Sequence, residues 1–131
     1  MATRPRPLSP HLQVYRWQVQ MATSIIHRAT GIVLALGALL IVAALAALVS
    51  GPESWACVSG HAGAWYGKAF LFLWTWAFTF HLLNGIRHLW QDAGMGYDKS
   101  AFVRNGWLVS VGSLLLALLV WVAVYAKGGV A

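Results

Sequence analysis

Hydrophobic residues fall into three long stretches separated by short polar connections. The first runs from about Met21 to Val49, with an uninterrupted apolar core from Ile32 to Val49. The second runs from about Tyr66 to Trp90 and the third from about Trp107 to Tyr125. A helix crossing the hydrocarbon of a bilayer needs about 20 apolar residues, so each stretch is long enough. Lipid offers the backbone no hydrogen-bond partners, which makes helices the only spanning structures open to single segments. The pattern predicts an all-α integral membrane fold: a tail over 1–20, then a membrane anchor over 21–131 with helices over 21–49, 66–90 and 107–125.

The boundaries carry their own signals. Trp17, Trp65, Trp90 and Trp107 sit where the stretches meet polar sequence, as interfacial tryptophans do. Gly51-Pro52 should end the first helix. Pro5, Pro7 and Pro10 prevent a helix in the tail and suit an extended segment docked at the interface or on a soluble partner. The tail carries arginines but no apolar run of a signal peptide, so we expect a prokaryotic chain or a mature form.

Composition agrees: 60% of the 131 residues are hydrophobic and 9% are charged, against about 25% charged in average soluble domains. The formal charge is +6, but the basic residues are scattered at the segment ends rather than gathered on a surface, which argues against nucleic acid as a partner. Their distribution sets topology instead. The tail holds Arg4, Arg6 and Arg16, and the second connection region holds Arg87, Lys99 and Arg104, whereas the first connection, Ser50 to Trp65, has none. The N-terminus and second connection are therefore expected on the cytoplasmic side. A single cysteine, Cys57, excludes an internal disulfide and a cysteine-based cluster.

Ionisable groups inside spanning segments are costly unless paired, solvated or bound, so each marks a functional hypothesis. Two clusters stand out. In Ser24-Ile25-Ile26-His27-Arg28-Ala29-Thr30-Gly31, a helical projection places Ser24, His27, Arg28 and Gly31 on one face. For Arg28 alone the competing reading is a side chain snorkelling to the headgroups. The second cluster runs from His81 to Asp92. His81 and His88 are two turns apart, about 10 Å along the axis, too far to meet at one metal. They can serve two levels of one pocket, or one can bind metal while the other pairs with an acid. Either could also be a helix-bridging hydrogen-bonder. Gly85, one turn beyond His81, would leave room for a large flat ligand.

Depth joins the clusters. His27 and Arg28 lie about 9 Å from the start of the first stretch, and His81 about 13 Å from the end of the second. Both are thus expected in the cytoplasmic half of the membrane, lining one site. Imidazole is a common axial ligand of haem iron, and only one convincing ligand is present.

These residues resemble the cytochrome b anchor subunit of succinate dehydrogenase (complex II), the first of its two membrane-anchor chains. The matching elements are Arg6 to Tyr15 in the tail, S-I-I-H-R-A-T-G over Ser24 to Gly31, and H-L-L-N-G-I-R-H-L-W-Q-D over His81 to Asp92. The resemblance implies a helix bundle shared with a second anchor subunit, beneath an iron–sulfur subunit and a flavoprotein subunit, in the bacterial inner membrane or the mitochondrial one. It implies haem b, with His81 as the iron's axial ligand and the other ligand on the partner anchor chain. It places ubiquinone against Ser24 and Arg28, and His27, Arg28 and His88 near the haem propionates. The chain would be a non-autonomous part of the enzyme, since it carries no nucleotide fold, no iron–sulfur cysteine set and no dicarboxylate pocket. A haemless structural anchor, or an anchor of the fumarate-reducing type, is the alternative.

Overall fold

The computed structural model describes residues 11 and 14–129; of the tail expected over 1–20, residues 1–10, 12 and 13 lie outside them. Four helices follow one another: α1 (Val19–Ser50), α2 (Pro52–Gly63), α3 (Trp65–Asp92) and α4 (Lys99–Ala126). Of these, α1, α3 and α4 are long and apolar enough to cross a membrane. The chain is an all-helical, multi-pass membrane protein.

Two features depart from the hydropathy pattern. The first connection, expected as a loop, is largely the helix α2. Pro52 occupies its first turn with Glu53 beside it, where a fixed φ and a negative charge both favour helix initiation. The third spanning helix begins at Lys99, eight residues before Trp107. Its first two turns carry Lys99, Ser100, Arg104 and Asn105; they are polar, so hydropathy alone misses them. Phe102 and Gly106 on these turns pack against Arg87 and Val19.

Burial is inverted relative to a water-soluble domain. Leu39, Leu119, Val49 and many other large apolar side chains point outward. The buried set includes Thr23, Thr30, Thr79, Asn84, Arg87, Gln91 and Ser113, alongside Ala77, Phe80, Val109 and Ala117. Lipid tails solvate leucine as well as a protein core does, so helix association relies on close packing of small residues and on interhelical hydrogen bonds. Both are present. On α1 the buried residues Thr23, Thr30 and Gly37 recur every two turns. The indole of Trp74 fills the place where a Cβ on Gly37 would stand, so α1 and α3 approach only because residue 37 lacks one. Between α3 and α4, the Thr79 hydroxyl donates to the Ser113 carbonyl at 2.8 Å and the Trp121 indole donates to Thr75 Oγ1 at 3.2 Å.

Candidate functional site

The two polar clusters meet where α1 crosses α3. The imidazoles of His27 and His81 stack face to face, with centroids 3.9 Å apart and planes 9° from parallel. His88, two turns along α3, tilts against the other side of His27 at 5.2 Å. The three rings form a column rather than a convergent set, and no group of three metal-binding side chains is found among the described residues. His81 and His88, too far apart for one metal, are bridged by an imidazole from the other helix.

The partners of His81 determine its tautomer. Its Nδ1 lies 3.2 Å from the His27 carbonyl and 3.3 Å from the Thr30 hydroxyl. A carbonyl oxygen only accepts, so Nδ1 carries the proton and donates to it. The Thr30 hydroxyl already donates within α1, to the Ile26 carbonyl at 2.8 Å, which leaves its oxygen free to accept. The Nε2 lone pair of His81 is therefore left for another partner, the arrangement seen in metal-ligating histidines whose second nitrogen is anchored. Gly31 makes the approach possible: a Cβ there would stand 3.1 Å from the His81 ring.

His88 is held differently. Arg87 Nη1 donates to Asn84 Oδ1 at 3.3 Å and to Thr23 Oγ1 at 3.4 Å. Arginine has no acceptor, so the oxygen of the Asn84 carboxamide faces it and the amide nitrogen faces His88 Nε2 at 3.1 Å. That nitrogen must then accept, which places the His88 proton on Nδ1. Its Nε2 lone pair is engaged by Asn84 and is not available to iron. The two histidines of one motif thus present different chemistry, one a free nitrogen lone pair and the other an N–H donor.

Ser24 and Arg28 are not in the column. The face that α1 turns to α3 is centred on Thr23, His27 and Thr30, whose small or hydroxyl-bearing side chains permit contact. Arg28 lies about 100° round the helix from His27. It is exposed, Ser24 is half-buried, and neither makes a side-chain hydrogen bond among the described residues. Since α1 is helical throughout, the four motif residues share an arc of about 100°; within it His27 and Gly31 meet α3, Ser24 is half-buried beside them, and Arg28 lies exposed at the far edge. A Cβ on Gly85 would meet only the His27 ring, at 4.0 Å, an ordinary contact.

Four residues central to this geometry were not singled out from the sequence: Thr23, Thr30, Asn84 and Arg87. Asn84 is completely buried and Arg87 is 7% exposed. Arg87 counted as a topology charge and as one position of the matching His81–Asp92 motif but was given no role, although a cation within the His81–His88 segment was itself a signal.

Comparison with known proteins identifies the family. Residues 2–122 match the model of the family described as succinate dehydrogenase/fumarate reductase transmembrane subunit. The chain is 42% identical over 114 residues to the succinate dehydrogenase cytochrome b556 subunit of Paracoccus denitrificans, covering 87% of this chain and 88% of the relative. It is 36% identical over 124 residues to the corresponding subunit of Rickettsia prowazekii, covering 89% and 91%. The mitochondrial cytochrome b560 subunit of Mus musculus is 36% identical over 116 residues, covering 87% of this chain and 66% of the mouse one.

Proposed function

This chain belongs to the family of transmembrane subunits of succinate dehydrogenase and fumarate reductase, and from that premise we propose that it is the haem b- and ubiquinone-binding anchor of a succinate:quinone oxidoreductase. The observation that carries the proposal is His81, whose Nδ1 is anchored on α1 while its Nε2 remains free. Such a nitrogen fits an axial position on haem iron. The residues around it fit the rest of the group: His27 Nδ1 is buried without a partner, and His88 offers an N–H. Both can donate to a propionate, and a carboxylate acceptor strengthens such bonds. Arg28, on the flank of the same helix, adds a cation. When bound, haem would supply a one-electron couple beside the quinone. A second ligand to the iron would have to come from the partner anchor subunit, since this chain would offer only His81.

The outward placement of Ser24 and Arg28 suits a quinone pocket completed by neighbouring subunits. Quinone reduction takes two electrons and two protons, so both carbonyl oxygens need polar partners in an apolar site. The Ser24 hydroxyl donates to one oxygen, and the Arg28 guanidinium stabilises the negative charge that develops there. Electrons reach this site from the iron–sulfur subunit, fed by succinate oxidation on the flavoprotein subunit. The chain contributes no succinate chemistry of its own and acts only within the complex. The N-terminus and the α3–α4 connection face the cytoplasm, where the soluble subunits dock, and the membrane is the bacterial inner membrane.

The test uses the purified complex. Ser24→Ala and Arg28→Ala should each lower quinone reduction by about 100-fold, the cost of removing a donor aimed at developing charge. Succinate oxidation with an artificial acceptor should survive. Equal loss of both activities would indicate failed assembly and sink the quinone assignment.

A further inference from the structure

On the side of α3 facing away from the histidines, a groove of about 360 Å³ opens between α3 and α4. Leu83, Ile86, Arg87 and Trp90 line it from α3, and Arg104 and Asn105 from α4. At 100° per residue, the four α3 residues occupy the half of the helix opposite His81, Gly85 and His88, so the groove opens on a different face, with Arg87 shared between the two.

The charge in the groove is uncompensated. Arg87 is 7% exposed, and the face of its guanidinium lies 4.6 Å from the Phe102 ring. Its Nη1 is used by Thr23 and Asn84, but Nε and Nη2 have no partner. No carboxylate among the described residues pairs with Arg87 or Arg104. The whole chain has three acidic residues against nine basic ones, and among the described residues none of the three pairs with an arginine. A buried cation in a membrane protein calls for a counter-anion, and this chain does not provide one.

We propose that the groove binds an anionic glycerophospholipid, whose phosphate is held by Arg104 and Asn105 close to the buried charge of Arg87. The layout separates polar from apolar as such a molecule does. The Trp90 indole lies nearest the end of α3, where interfacial tryptophan sits at the headgroup level, while Ile86 and Arg87 lie about one turn deeper and Leu83 about two, so that Ile86 and Leu83 follow the path of an acyl chain. A free phosphate would use only the first half of this surface.

The complex, exchanged into nanodiscs containing equal amounts of phosphatidylglycerol and phosphatidylcholine, tests the proposal by quantifying lipid retained after delipidation. Phosphatidylglycerol should be enriched over phosphatidylcholine, and Arg104→Ala should reduce that enrichment about fivefold, the worth of one basic residue at a charged lipid surface. Asn105→Leu should reduce it less, and Arg104→Lys should keep most of it. Equal retention of both lipids, or no change in Arg104→Ala, overturns the proposal. So does displacement by millimolar inorganic phosphate, which would mark a free-anion site. Subunit dissociation in Arg104→Ala with lipid retention unchanged also overturns it, because a partner carboxylate then fills the groove. Haem absorbance recorded on the same samples keeps this outcome separate from that of the haem assignment.

Discussion

At the end of the bundle where α1 begins, α1 and α3 meet through Thr23, His27, Thr30, His81 and Arg87. At the other end, beside α2, the same two helices meet through Gly37 and Trp74 and flank an apolar cavity of about 600 Å³. Leu40, Ala44, Val58, Phe70 and Leu71 line that cavity, and its polar rim is the His61–Tyr66 hydrogen bond at 2.6 Å. The first end is joined by directed hydrogen bonds among Thr23, Thr30, His81, Asn84, Arg87 and His88, although His27 Nδ1 and two nitrogens of Arg87 have no partner. Turning α3 by one residue would break most of its bonds at once. The second end is held by shape, and its one buried donor, Trp74 Nε1, has no partner. Directional polar contacts fix the rotation of α3 where the site is, and non-directional packing serves where no site is built.

Replacing residues at each end tests this contrast. His81→Ala should have the largest effect, abolishing the b-type absorption band in the reduced-minus-oxidised spectrum of the purified complex. A band that survives unchanged would remove haem ligation from this residue. Next comes Asn84→Leu, which strips Arg87 of an acceptor and frees Nε2 of His88. Leaving a buried cation under-satisfied costs about 1–3 kcal/mol or more, visible as a lower thermal midpoint. The haem potential should also move as His88 loses its fixed tautomer, a change that simple loss of packing would not produce.

At the apolar end, Gly37→Ala forces a methyl group into the space held by the Trp74 indole. Overpacking of this kind costs about 1–3 kcal/mol, but the haem spectrum should stay as in the parent. A spectral change equal to that of Asn84→Leu would erase the distinction between the two ends. Trp74→Phe should do least. It removes an unpartnered N–H while leaving slightly more empty volume, two effects of opposite sign that should cancel to within about 1 kcal/mol.

The three spans, the break at Gly51-Pro52 and the polar motifs were legible because each rests on local chemistry. Residues 32–49 are too apolar to be anything but membrane-embedded, and His81 is too costly there to be incidental. The helix α2 was not legible from hydropathy, because a short helix of mixed polarity has no spanning signature. The early start of α4 was missed for the same reason. In the site, periodicity grouped Ser24 and Arg28 with His27, since a helical projection reports shared faces but not which face a neighbouring helix will take.

That choice belongs to the tertiary structure. The sequence by itself determined how many times the chain crosses the membrane and which residues could bear chemistry there, because transfer into lipid penalises each residue according to its own polarity. Only the packing of α1 on α3 decided that His27 lies between His81 and His88, that the His27 carbonyl anchors one imidazole, and that Asn84 occupies the other. Those outcomes depend on where Thr23, Thr30 and Gly37 let two backbones approach. Close approach is a property of paired surfaces, and one strand of text cannot state it.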